Sequence, residues 1–245
     1  MKNRNFVRPL LYVLIAVLLV LSGVLGTLAF LASSTAVSNT FTVGQVGIQM
    51  FESRTDKNGV DLDGAEKTSD GNSYELVPGK NYLKDPTIYV NEGSTPSYLF
   101  VKVKNGISSI ELAGATTMKA QMIQRGWQLV KKNDSTQEEL YLYVGKDAQG
   151  NTKAVETIQT GVVDYTPVGS AQAEEYDVFH DFTIATDTDV TDFGGAKVTL
   201  TAFAIQTESY TETKEGLQGY QRAWNAIVGR FPFESGTVFV AQNNP

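Results

Sequence analysis

Apolar residues recur at every second position along most of this chain, and that period constrains the fold more than any other feature. In Tyr98-Leu99-Phe100-Val101-Lys102-Val103-Lys104, the side chains of Leu99, Val101 and Val103 share one face and the lysines turn to the other, the pattern of a half-buried strand. Further on, Val198, Leu200, Ala202 and Ala204 share a face, with Thr199, Thr201, Phe203 and Ile205 opposite. Strand-like runs also occupy 41–50, 86–90, 127–130, 140–144, 155–163, 176–184 and 237–240. Turn chemistry separates them at Asn58-Gly59, Asp63-Gly64, Asp70-Gly71, Pro78-Gly79, Asn91-Glu92-Gly93, Gln149-Gly150-Asn151 and Gly194-Gly195. Many short strands with little helix predict an all-β, antiparallel β-sandwich.

Two segments follow a different period. Residues 115–125 place Met118 and Met122 one turn apart, offer Thr116 or Thr117 as N-cap and stop at Gly126, which predicts a short helix. Leu217, Tyr220, Trp224, Ile227 and Val228 fall at helical spacing before Gly229, so a second helix is expected to lay an apolar stripe on one end of the sandwich. Residues 52–73 carry six acidic side chains and read as a long exposed loop.

The amino terminus sets the compartment. Lys2, Arg4 and Arg8 precede an uncharged apolar run over 9–32, which gives way to Ser33-Ser34-Thr35-Ala36; this is the layout of an export signal. Thr27 and Ala29 put small residues at the minus-three and minus-one positions, placing cleavage after Ala29 and a new terminus at Phe30. The competing reading is a retained anchor, since about 20 apolar residues cross a bilayer as a helix. Gly23, Gly26 and Thr27 weaken the second half of the run as a helix.

Charge and residue usage narrow the function. The whole chain has 20 Lys and Arg; removing the three in residues 1–29 leaves 17 against 27 Asp and Glu, a net charge of −10. Such an acidic surface does not suit nucleic acid. With no cysteine, an exported domain of about 200 residues must hold together by its core and its sheet pairing. A single histidine, His180, and no H-E-x-x-H leave a zinc hydrolase without ligands. His180 falls in the run 176–184 on the side of Val178 and Phe182, the position of a packed structural histidine. No G-x-S-x-G or phosphate-binding glycine loop is present. Asp187, Asp189 and Asp192, or Asp61 with Asp63, offer hard oxygen ligands, but EF-hand spacing is missing, and a solvated loop is expected. No metal, cofactor or catalytic residue is assigned.

The order Gly26-Thr27-Leu28-Ala29-Phe30-Leu31 followed by Val37-Ser38-Asn39-Thr40-Phe41-Thr42-Val43-Gly44 resembles the signal region and mature start of the TasA/camelysin-like family, secreted proteins of Gram-positive bacteria with SipW-dependent-type signal peptides. Leu76-Val77-Pro78-Gly79-Lys80, Lys84-Asp85-Pro86-Thr87-Ile88-Tyr89-Val90-Asn91-Glu92-Gly93, Tyr98-Leu99-Phe100-Val101-Lys102-Val103, Val198-Thr199-Leu200-Thr201-Ala202-Phe203-Ala204-Ile205-Gln206 and Ala223-Trp224-Asn225-Ala226 extend the likeness over most of the chain. Members commonly carry an acidic residue just past the cleavage region, where this chain has Ala32-Ser33-Ser34-Thr35. The resemblance implies a jelly-roll-like sandwich, a dedicated signal peptidase as partner and a role in extracellular fibres of the biofilm matrix. It further implies a homopolymer in which the mature N-terminal segment completes the next subunit's sheet. The peptidase activity attributed to camelysin is not carried over, because one histidine cannot support it.

Residues 1–29 are thus expected to be a signal peptide, 30–42 an N-terminal arm, 43–207 the sandwich, and 208–245 a helix and final strand. Within the arm, Phe30, Leu31, Val37 and Phe41 are the side chains suited to pockets along a free sheet edge. The other reading of the arm is the domain's own first strand or a tether. Three functions remain open: a structural fibre subunit, a monomeric surface adhesin or accessory pilus-type protein that contacts matrix or cell-wall components, and, least supported, an exported peptidase.

Overall fold

A computed structural model describes residues 46–62, 67–91, 94–153, 162–163, 174–229 and 231–233. It contains eleven strands: β1 (Ile48–Ser53), β2 (Lys67–Thr68), β3 (Asn81–Leu83), β4 (Thr87–Val90), β5 (Ser97–Asn105), β6 (Trp127–Asn133), β7 (Glu138–Tyr143), β8 (Val162–Val163), β9 (Glu174–Asp177), β10 (Asp181–Thr183) and β11 (Val198–Gln206). Two short α-helices accompany them, α1 (Met118–Gln124) and α2 (Gly219–Ile227). Every strand pair is antiparallel. One sheet has the order β2-β1-β4-β9; the second runs β11-β5-β7-β6, with β8 beside β5; β10 and β3 form a separate ribbon.

The two sheets face each other across the main core. Ile48 and Met50 of β1, Ile88 and Val90 of β4 and Tyr176 of β9 meet Leu99, Val101 and Val103 of β5, Tyr141 of β7 and Leu200, Ala202 and Ala204 of β11. The alternation read from the sequence decides this: β5 and β11 pair over nine residues, Val198 with Asn105 through Gln206 with Ser97, and their alternate side chains point to opposite faces. The second face is also buried. Tyr98, Phe100, Phe203 and Ile205 form a second core with Tyr220, Ala223 and Trp224 of α2, and the Trp224 ring lies 5.1 Å from Phe100 and 5.0 Å from Phe203. The described residues therefore form an all-β fold, a sandwich of antiparallel sheets with two short α-helices.

Local chemistry explains both helices. The Thr117 side chain accepts from the Ala120 amide and caps α1, and Gly126 follows at a φ of 92°, where a non-glycine residue is strained. In α2 the Gln218 amide donates to the Gln221 side-chain oxygen at 2.8 Å, one half of a capping box, and Gly229 adopts positive φ after the last turn. The helix lies over the outer face of the five-stranded sheet rather than at an end of the sandwich.

Three expectations are corrected. The run 176–184 is not one strand: β9 ends at Asp177, β10 begins at Asp181, and the two belong to different sheets. Alternation breaks in the crossover, where Val178 and Phe179 are both buried and His180 is exposed, so His180 is not a packed core residue. Residues 52–73 are not wholly an exposed loop either, since Glu52 and Ser53 close β1, Lys67 and Thr68 form β2, and Glu52 is buried. Of the strand expected over 41–50, residues 48–50 lie in β1, whose inward row is Ile48, Met50 and Glu52, while 46 and 47 precede it and 41–45 lie outside the described residues. Thr27, Ala29, Phe30, Leu31, Val37 and Phe41, the turn at Asp63-Gly64, most of 155–163 and the strand expected at 237–240 lie outside the described residues. Among the described residues no helix is long and apolar enough to cross a membrane.

Candidate functional site

The sheets leave a seam open between β1 and β11. Along Ile48–Phe51, β1 pairs with β4 on one edge; on the other edge β2 pairs only with Glu52 and Ser53. Among the described strands, β11 is the rim of its own sheet. Between these rims lies a shallow, solvent-open cleft walled by Met50, Phe51, Thr68, Ser69, Thr199 and Leu200, with Glu52 and Lys84 also lining it. It lies beside the rims of both sheets and is lined by apolar as well as polar side chains, which suits an extended chain that pairs along an edge.

The polar side of the cleft is a connected network. Lys84 Nζ donates to Glu52 Oε2 at 2.6 Å, and the two residues are only 7% and 5% exposed. Asn72 Nδ2 donates to Glu52 Oε1 at 2.8 Å and to the Ser53 carbonyl at 2.8 Å, while Asn72 Oδ1 accepts from the Thr55 amide at 2.9 Å. Next to it, Asp85 accepts from the Ser53 amide and hydroxyl, each at 2.6 Å, and from Lys67 Nζ at 3.1 Å. Burial pushes the Asp85 carboxyl up, but the Ser53 bonds and the Lys67 ammonium outweigh it and hold it below the ordinary aspartate value. Lys67 is held above its ordinary value: burial opposes this, and the Asp85 bond prevails. The Tyr74 hydroxyl, which donates to the Leu83 carbonyl at 2.8 Å, is pushed well up by burial and then by the charge of Glu52. Its ring stands edge-on to Tyr82 and Phe182, with centroids 5.6 and 5.3 Å away.

Fold geometry explains why these residues meet. Glu52 takes the third inward place of β1 after Ile48 and Met50, so the strand itself carries a carboxylate into the core wall. Lys84 follows β3, and its amide donates to the His180 carbonyl. The sequence signal for Glu52 was present in the spacing Ile48, Met50, Glu52; nothing local marked Asn72 or Lys84. Of the acidic residues considered for calcium, Asp63 lies outside the described residues, and the others do not converge. Asp187, Asp189 and Asp192 are exposed, and Asp189 accepts from the amide and hydroxyl of Thr191 at 2.9 and 2.7 Å. Among the described residues no group of three or more His, Cys, Asp or Glu side chains is placed to hold a metal ion.

No family model, curated protein or solved structure matches this chain.

Proposed function

We propose that this chain is an exported structural subunit of the cell surface or biofilm matrix, without enzymatic activity, and that copies join when the arm at 30–42 adds as a strand to the next subunit. The observation that carries this reading is the cleft between the β1 and β11 rims. A strand entering there gains main-chain hydrogen bonds from a sheet edge and fills apolar recesses with alternate side chains. An uncovered edge is otherwise an aggregation hazard, which natural proteins cover. The jelly-roll connectivity, the signal helix at 1–29, cleavage before Phe30 by a dedicated signal peptidase and membership of the TasA/camelysin-like family belong to this proposal. The sequence resemblance and the antiparallel sandwich support them.

A donated strand makes a heterologous contact, which propagates into open filaments when the rotation does not close. Chain starting at Phe30 is expected to scatter light as a growing polymer and to show filaments by electron microscopy. Deleting 30–39 should leave a folded monomer. Thr199→Arg, which crowds the cleft from a half-exposed position, should weaken assembly without unfolding the domain. Filaments that persist in both variants, or a deletion that unfolds the monomer, would show that the arm is the domain's own strand.

A further inference from the structure

Glu52, Lys84 and Asn72 form a cluster that strand addition does not require. An ammonium has three protons to place, yet among the described residues the Lys84 Nζ has one acceptor, Glu52 Oε2. A buried ion pair is a poor source of stability unless its remaining hydrogen bonds are made. The other oxygen of the same carboxylate holds the amide nitrogen of the half-buried Asn72, so one nearly buried carboxylate bridges an amine and a carboxamide. A secondary amide nitrogen would have one proton to donate, matching the one acceptor available.

We propose that Lys84 and Asn72 condense into an intramolecular isopeptide bond, with Glu52 as the catalytic proton carrier. Glu52 first takes a proton from the Lys84 ammonium at 2.6 Å, giving a neutral amine and a carboxylic acid. The amine lone pair attacks Asn72 Cγ, forming the C–N bond, while the Thr55 amide 2.9 Å from Oδ1 stabilises the oxyanion. Glu52 then protonates Nδ2, to which it is already bonded, and collects the proton from the attacking nitrogen. The Cγ–Nδ2 bond breaks and ammonia leaves. Ammonia takes the proton from Glu52 and departs through the cleft, which Glu52 and Lys84 line. The balance is one alkylammonium and one carboxamide in, one secondary amide and one ammonium out, with nothing oxidised or reduced and the Glu52 carboxylate restored. Holding both reactants on one carboxylate supplies the proximity that an uncatalysed condensation lacks.

The bond would close residues 72–84 into a ring fastened beside β1. In an exported chain with no cysteine, it would restrict the unfolded chain as a disulfide does elsewhere.

Mass spectrometry of the purified full-length chain tests the proposal. The intact mass is expected to fall short of the sequence by one ammonia, and proteolysis should release a branched peptide joining the Asn72 and Lys84 segments, with trypsin unable to cut after Lys84. A succinimide at Asn58-Gly59 would give the same intact mass, so the branched peptide is the deciding readout. Glu52→Gln should restore the full mass and two linear peptides; if that variant does not fold, Asn72→Ala gives the same comparison. Recovery of Asn72 and Lys84 in separate linear peptides from folded wild-type chain, with or without ammonia lost elsewhere, would overturn the proposal.

Discussion

Glu111 and Asp85 are carboxylates in partly buried positions that titrate in opposite directions. Burial pushes the Glu111 carboxyl above its ordinary value of 4.5, against the opposing bonds from the Met118 amide and the Asn105 side chain. An acid whose folded value is raised contributes stability that is complete below the unfolded value and lost as pH rises through the folded one. For Asp85 the folded value is depressed below 3.8, so its contribution is present above 3.8 and lost as pH falls through the lowered value. Wild-type chain should thus gain a Glu111 increment on acidification toward 4.5 and lose the Asp85 increment below 3.8. Glu111→Gln is expected to abolish the first change, and Asp85→Asn to abolish the second while costing about 1–2 kcal/mol at neutral pH, because asparagine keeps one acceptor oxygen for the Ser53 amide but sets an NH2 donor against the Ser53 hydroxyl and the Lys67 ammonium. Urea midpoints at pH 7, 5 and 3 check both; unchanged pH slopes in the variants would contradict them. Neither site was legible in the sequence, since Asp85 meets Ser53 from 32 positions away and only the fold brings them together.

Elements with a strong local period were legible, and those made by crossovers were not. The long β5 and β11 strands fall where the alternation places them, although β5 buries Tyr98 and Phe100 on the face expected to be solvated; α1 is capped by Thr117 and stops before Gly126 as expected, and α2 ends before the expected Gly229, its start at Gly219 having had no predicted cap. By contrast the boundary between β9 and β10 is set by a change of sheet, with Val178 and Phe179 both buried, and an apolar pair of this kind has no period to read. The docking of α2 also depends on one residue with no apolar signal. A Cβ on Gly219 would collide with the Tyr210 carbonyl oxygen and stand 2.5 Å from the Tyr98 hydroxyl, which itself donates to that carbonyl at 3.1 Å. Gly219→Ala is therefore expected to push the start of α2 off the sheet and to destabilise the domain by about 1–3 kcal/mol, the usual cost of overpacking, although alanine is the better helix former. Thermal unfolding followed by tryptophan fluorescence reports it, because Trp224 lies in the displaced core. A variant as stable as wild type would show that α2 docks independently of this contact.

At the scale of the whole molecule, charge works against the assembly proposed here. The full chain has a net charge of −7, and chain starting at Phe30, without Lys2, Arg4 and Arg8, has 17 basic residues against 27 acidic ones, a net of −10. Like-charged subunits repel over roughly a Debye length, about 10 Å at 0.1 M salt, and net charge of one sign favours the monomer. The arm at 30–42 contains no charged residue, so inserting it into the cleft brings two acidic bodies together without adding an ion pair from the arm. Its attraction rests on main-chain hydrogen bonds and apolar side chains, which salt does not screen. Raising the ionic strength should therefore speed polymer growth and lower the concentration at which it begins, and so should acidification into the carboxylate range, which removes negative charge. Chain lacking 30–39 should gain nothing from salt beyond weak, non-filamentous association. Light scattering across a salt series, with electron microscopy at each end, separates the outcomes. Growth that slows as salt rises would mean that opposite charges hold the subunits together, and strand donation by an uncharged arm would then be the wrong mechanism.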